Sequence, residues 1–200
     1  ATLSVAFVAW RVRPVNAATP PAVTLPIGRA IRTALRNAPF VRLITAFALA
    51  RFGFTMISTS LTYFVVRRLL EDEKRAGVIL GVLMVTVAVF VPFWRRVADR
   101  SSKGQAYAAG LLVTAVGMAG VFGIGEGRFG QMLLLTPVIG LGISAHWVIP
   151  WAMLPDVVEY DQRETGERRE GMFFGVYGLV DKIARTLGLV LLGWVLAAFA

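Results

Sequence analysis

The stretch MFFGVYGLVDKIART (172–186) places Asp181, Lys182 and Arg185 in otherwise apolar surroundings. A charge at the centre of a lipid-embedded helix costs roughly 2.5–3.5 kcal/mol on insertion scales, so three within five residues need a partner or a task. Asp181 and Arg185 are one helical turn apart and can pair, whereas Lys182 points about 100° away and is the less compensated cation. A second group begins at Arg51, from which Thr55, Ser58, Thr59 and Thr62 follow at helical spacing as one polar stripe. Arg51 lies about 18 Å into its apolar run, and two readings are open: it faces an aqueous cavity, or it bonds backbone carbonyls while the hydroxyls serve packing. The third group is HWVIPW, with Trp147 and Trp151 on one face and Pro150 between them. An indole is a platform for a sugar ring or an apolar ligand and is also an ordinary interface anchor; the deeper Trp147 reads as ligand contact and Trp151 as anchor. His146 has no His, Cys or carboxylate at ligand spacing, so no metal is expected, and hydrogen-bonded packing is favoured over a proton relay.

These residues sit in long apolar runs. The chain has 200 residues, 56% hydrophobic and 16% charged, against about 25% charged in an ordinary soluble domain. Residues 39–66, 76–94, 105–125 and 129–155 each suffice to cross a bilayer as a helix, and residues 171–200 make a fifth span. None alternates in polarity as a barrel strand would, so the expectation is an all-α membrane protein. The absence of Cys removes disulfides, thiolate metal sites and Cys nucleophiles. Enzymatic chemistry is not expected, because no carboxylate pair, metal box or nucleophile–base pair occurs at mid-membrane.

A net charge of +9 suggests nucleic acid, but the basic residues are dealt out to loops, so no nucleic-acid partner is expected. Lys and Arg number 13 in the first, third and fifth loops (11–42, 95–103, 156–170) against five in the second and fourth. By the positive-inside rule the first set is cytoplasmic. Within the first loop, 11–38, NAATPPAVTLP is a linker, and an amphipathic helix is expected over about 27–38, with Arg29, Arg32 and Arg36 opposite Ile27, Ile31 and Leu35. It serves either as a hinge between two bundles or as an anchor on the membrane surface. The opening ATLSVAFVAW (1–10) reads as the end of a preceding span, so the sequence is expected to be a piece of a larger membrane protein.

WVIPWAMLPDVVEYDQRETGERREGMFFGVYGLVDKIARTLG resembles the C-terminal signature of the glycoside-pentoside-hexuronide cation symporters, the melibiose-permease-like branch of the major facilitator superfamily. LRNAPFVRLITAFALARFGFTMIS is similar to that family's seventh helix, and PFWRRVADRSSKG to its loop between helices 8 and 9. The resemblance spans essentially the whole chain. It implies the C-terminal six-helix half of a major-facilitator-type bundle, from the end of helix 6 (1–10) through helices 7 (39–66), 8 (76–94), 9 (105–125), 10 (129–155) and 11 (171–200), with cytoplasmic loops at 95–104 and 156–170. It makes Trp147 a sugar-stacking residue and Lys182 a member of the cation and sugar site. Asp156 and Glu159, with Asp99 and Arg100 of the 8–9 loop, become a cytoplasmic gate. Asp181, Arg185 and Arg51 depart from a neutral-sugar permease.

The function expected is cation-coupled symport of a sugar, glycoside or hexuronide-like solute across the cytoplasmic membrane by alternating access. Arg51, Thr55, Trp147 and Lys182 would bind solute, and Asp181, Lys182 and Arg185 would form the charge network. Sodium or a proton is the coupling ion, with no other cofactor; the remaining partners are the bilayer and the N-terminal half of the same protein. The alternatives are a carrier of a lysolipid or other anionic or zwitterionic amphiphile, and a non-transporting membrane sensor or scaffold. The orientation is directly testable: single Cys probes at Ser101 and Thr165 label only from the cytoplasm and one at Gly127 only from outside. Labelling of all three from one side rejects it.

Overall fold

The computed structural model describes residues 26–198, which form six α-helices and no strand. They are α1 (Ile27–Ala34), α2 (Ala38–Arg67), α3 (Glu73–Arg100), α4 (Lys103–Val121), α5 (Phe129–Thr165) and α6 (Glu170–Ala198). The expected span end at 1–10 and the Pro-rich linker lie outside the described residues.

Local chemistry sets the helix ends. Asn37 caps α2, its Oδ1 accepting the Phe40 N–H at 3.0 Å, and Pro39 occupies a first-turn position where no donor is needed. Ser102 caps α4 through the Gln105 N–H at 3.2 Å, leaving only Ser101 and Ser102 between α3 and α4. The turn after α2 puts Leu70 in the left-handed region at φ 55, and the Leu69 carbonyl accepts the Gly127 N–H at 3.2 Å. That bond joins the second and fourth loops at one end of the bundle. At the other end lie the basic loops, joined by an Asn37–Asp161 hydrogen bond and a Lys103–Asp156 ion pair.

α2, α3, α4 and α5 are long and apolar enough to cross a membrane. α6 has 29 residues, which is length enough, but Asp181, Lys182 and Arg185 make its middle more polar than the other four. The largest departure from expectation is α5. It runs to Thr165, ten residues past the boundary expected at Pro155, so most of the loop assigned to 156–170 is helix. Proline removes one donor without ending a helix that packing holds on both sides, and Pro137 and Pro150 also lie inside α5. Termination comes instead at Gly166, which takes the left-handed conformation at φ 70. Likewise α3 continues to Arg100, through most of the expected loop 95–104. α1 covers Ile27–Ala34, shorter than the expected 27–38, because Asn37 starts α2.

α5 is the axis: more than half of its apolar stretch is buried, against about a quarter in α2, α3 and α4. It meets α4 and α3 backbone to backbone. A Cβ on Gly142 would overlap Thr114, one on Gly110 would overlap Ala145, and one on Gly140 would come within 2.8 Å of the Thr86 side chain. The Trp94 indole N–H donates to the Leu141 carbonyl at 2.7 Å across the α3–α5 contact. α6 lies along α2, where Gly188 admits the Phe52 carbonyl and the Thr55 side chain. Small-residue pairs four apart, Ala106–Gly110, Ala119–Gly123 and Gly171–Gly175, invite the same close approach and make it only in part. Ala106 and Gly110 are buried as expected, but Ala119, Gly171 and Gly175 are exposed, and Gly123 meets only the turn before it.

Gly142→Ala therefore lowers the thermal unfolding midpoint of the full-length protein in detergent, by the equivalent of about 1–3 kcal/mol of overpacking. Gly175→Ala leaves it unchanged. Equal effects of the two substitutions contradict the packing described.

Candidate functional site

The charges of α6 meet the lone charge of α2. Arg51 is about 20 Å along α2 from Ala38, and Asp181 about 17 Å along α6 from Glu170, so the two helices bring both groups to the same height. Arg51 Nε lies 2.8 Å from Asp181 Oδ1, and Arg185 Nη2 donates to Asp181 Oδ2 at 2.9 Å. One carboxylate is thus held between two guanidinium groups from different helices. The Arg51 contact is ionic rather than an aligned hydrogen bond: Nε is buried and its N–H does not point at an acceptor. Arg51 and Asp181 side chains are 18% and 22% exposed, against 51% for Arg185, so the inter-helix pair is the better shielded. Pairing of Asp181 with Arg185 follows from their spacing; the pairing with Arg51 does not, and it gives Arg51 a carboxylate partner that neither of the two readings open for it contained.

Lys182 is exposed and makes no hydrogen bond or ion pair among the described residues. Thr55 is a correction. It is 7% exposed, its hydroxyl donates to the Arg51 carbonyl at 2.9 Å, and its methyl side packs at Gly188, so it is committed to the α2–α6 contact rather than turned toward a solute. Ser58 likewise donates to its own helix, at the Thr55 carbonyl.

Trp147 is 47% exposed and meets the edge of Phe54 at 6.4 Å; Phe54 in turn lies 6.0 Å from the Arg51 guanidinium. Arg51, Phe54 and Trp147 therefore form one continuous surface. Behind it runs a row of rings. Trp151 lies 5.0 Å from Tyr177, Tyr177 stacks on Phe47 at 4.3 Å, and Phe47 stacks on His146 at 5.2 Å. The row ends where Tyr107 Oη meets His146 Nδ1 at 2.9 Å. His146 is thus a hydrogen-bonded packing residue of the core that also lines a cavity of about 200 Å³ with Gly53, Phe54 and Thr114. Trp151, half exposed, leans on the α6 ring Tyr177 as well as presenting an anchor surface.

The four expected gate residues do not come together. Asp156 pairs across helices with Lys103 of α4 at 2.6 Å, and that ammonium also donates to the Ala152 carbonyl at 3.0 Å. Glu159 pairs with Arg163 one turn along its own helix. Asp99 and Arg100 are exposed and make no ion pair among the described residues. Asp161, which no spacing rule singled out, is buried and receives a hydrogen bond from Asn37. Asn37 itself was legible, since Asn followed by Ala-Pro before an apolar run is a helix-start pattern.

Long apolar helices enclosing a paired mid-bundle charge define a multi-pass membrane protein. The whole chain, residues 1–200, matches the family described as MFS/sugar transport protein, and it belongs to that family. It is 32% identical over 180 residues to an uncharacterized symporter of Synechocystis sp., covering 89% of this chain and 33% of that protein. It is 25% identical over 163 residues to the sodium-dependent lysophosphatidylcholine symporter 1-A of Danio rerio (80% and 30%). An uncharacterized symporter of Bacillus subtilis is 26% identical over 166 residues (82% and 35%). The chain spans about a third of the length of these relatives.

Removing Asp181 leaves two guanidinium groups without their counter-ion, whereas removing Arg185 leaves Asp181 with Arg51. Asp181→Asn is therefore the more damaging, by about 1–3 kcal/mol, and Arg185→Gln changes stability by less than about 1 kcal/mol. Thermal unfolding of the full-length variants checks the order, and a double-mutant cycle of Arg51→Gln with Asp181→Asn measures the inter-helix term.

Proposed function

We propose that this chain is the C-terminal half of a secondary active transporter that couples a sodium ion or proton to solute uptake by alternating access, and that it is not an enzyme. The observation that carries the reading is the Arg51–Asp181–Arg185 cluster on α2 and α6 beside the exposed Trp147, in a chain of the MFS/sugar transport family whose relatives are named symporters. Within the family we assign the melibiose-permease-like branch on the motifs from Trp147 to Lys182.

The cluster suits alternating access because Asp181 has two partners. When α2 and α6 shift, Asp181 keeps Arg185 on its own helix as Arg51 leaves, so the partly buried carboxylate is not stranded. Arg51, Lys182 and Arg185 against Asp181 leave an excess of positive charge in this half. A solute bearing a carboxylate or phosphate supplies the missing anion, with Arg51 and Lys182 as its ligands and Trp147 packing on its ring or chain. A hexuronide fits this description among sugars. A lysophospholipid fits it among amphiphiles, and the named substrate of the Danio rerio relative favours that second reading. Asp156, through Lys103, is the gate residue that links two helices; Glu159, Asp99 and Arg100 are assigned supporting places on the same surface. The protein resides in the cytoplasmic membrane.

Uptake into proteoliposomes holding the full-length protein tests this. Labelled glucuronide, the corresponding neutral glycoside and lysophosphatidylcholine are offered under sodium and proton gradients. An acidic or zwitterionic solute accumulates, and Lys182→Gln abolishes it. If the neutral glycoside competes as well as its uronic-acid analogue at low and high salt alike, the cations serve the bundle and not the solute. Accumulation of none of the three favours the sensor or scaffold reading.

A further inference from the structure

Asp161 is the one buried carboxylate among the described residues, 7% exposed in the penultimate turn of α5. Its Oδ1 accepts the Asn37 side-chain amide at 3.2 Å. The orientation of that amide is fixed, because Asn37 Oδ1 already accepts the Phe40 N–H as the cap of α2. Asp161 Oδ2 is shut away from solvent with no hydrogen bond, and Arg169 Nη1 stops 3.9 Å short of it. Arg169 is held instead by Glu167, whose Oε2 accepts from its Nε at 2.9 Å and lies 2.8 Å from its Nη2. The arrangement is lopsided. Glu167 is half exposed and could be served by water, while the buried oxygen of Asp161, which water cannot reach, goes without a donor. A movement of about 1 Å brings Arg169 into ordinary charge-assisted contact with Asp161.

The position of this cluster gives it leverage. α2 starts at the residue after Asn37, and α6 at the residue after Arg169. These are the two helices that carry Arg51 and Asp181 about 20 Å and 17 Å further along. We propose that Asp161 is a latch: Arg169 exchanges between Glu167 and Asp161, and its transfer to Asp161 draws the α5–α6 loop onto the start of α2, setting how closely the α2 and α6 ends approach. The structure shows the open position. Asp161 and Arg169 are positioning residues for the Arg51–Asp181 pair, and the latch operates whichever solute is carried.

Hydrogen exchange of the full-length protein in lipid nanodiscs reads it directly, on peptides covering the α1–α2 turn and residues 166–173. Glu167→Gln frees Arg169 for Asp161, so it slows exchange in both peptides by a few-fold. Arg169→Gln removes the transferable donor and speeds exchange in both, by roughly tenfold or more, the scale of one hydrogen bond to a charged group. Asp161→Asn keeps a partner for Asn37 but drops the charge to which Arg169 transfers, so it too speeds exchange in both peptides. A static packing role predicts the opposite sign for Glu167→Gln, because it merely loses an ion pair. Faster or unchanged exchange in that variant overturns the latch, and Glu167 is exposed enough that its replacement leaves the fold intact.

Discussion

A charge shielded inside an apolar layer needs a counter-charge, a carbonyl or water in contact, and the geometry of α2 and α6 follows from how Arg51 and Asp181 meet that requirement. Asp181 satisfies Arg51 and Arg185 at once, which fixes the height and rotation of α6 against α2. The neighbouring residues enforce the same approach. Gly188 lets the α2 backbone close in, Thr55 folds its hydroxyl back on its own helix, and Phe40 meets Phe173 at 5.0 Å nearer the basic end. The ion pair is therefore part of the packing, in surroundings whose partial burial keeps the attraction from being screened away.

Two modes of packing divide the bundle. α3, α4 and α5 are joined through glycine contacts and an indole-to-carbonyl bond, with backbones too close to slide. α2 and α6 meet α5 through rings: Phe47 on His146, Trp151 on Tyr177, and Phe54 against Trp147. Stacked and edge-on rings keep contact over a range of offsets, whereas a glycine notch tolerates none. The α3–α4–α5 block is held by those notches, and the aromatic seam, backed by aliphatic contacts, joins it to the α2–α6 pair. Trp147 and Arg51 face each other across that seam through Phe54, so relative movement of the blocks reshapes the surface that they share.

Apolar run length and the energetic penalty on charge were enough to find the helices and to single out Asp181, Lys182, Arg185 and Arg51. They were not enough to pair them. Periodicity tells which residues share a face of one helix, and it gave Asp181 with Arg185; nothing local connects Arg51 to a residue 130 positions later. The same limit explains Thr55, whose place on the polar stripe of Arg51 was real while its direction, toward α6, was set by Gly188. Pro155 misled because proline is a local signal, and the turns beyond it are held by tertiary contacts of Asp156 and Asp161 and by the Glu159–Arg163 pair. Gly171 and Gly175 misled for the converse reason: small-residue spacing permits close packing, and only a neighbour at the right height uses it.

The basic end of the bundle distributes charge unevenly. From Asp156 to Glu170 the carboxylates are largely matched by Lys103, Arg163, Arg168 and Arg169, so the α5–α6 region carries its own counter-ions. Arg29, Arg32, Arg36 and Arg42, on α1 and the start of α2, have no ion-pair partner among the described residues. Arg95, Arg96 and Arg100 at the end of α3 are likewise without ion-pair partners among the described residues, so the excess positive charge of this end lies on α1, α2 and α3, and the neutralised part holds Asp161 and Lys103. An excess cation at a membrane surface is served by headgroups and water at little cost, whereas the matched pairs tie α4, α5 and the start of α6 together. Excess charge and cohesion are carried by different residues of the same end, which is why counting Lys and Arg could group the loops at one end and yet say nothing of which helices they bind.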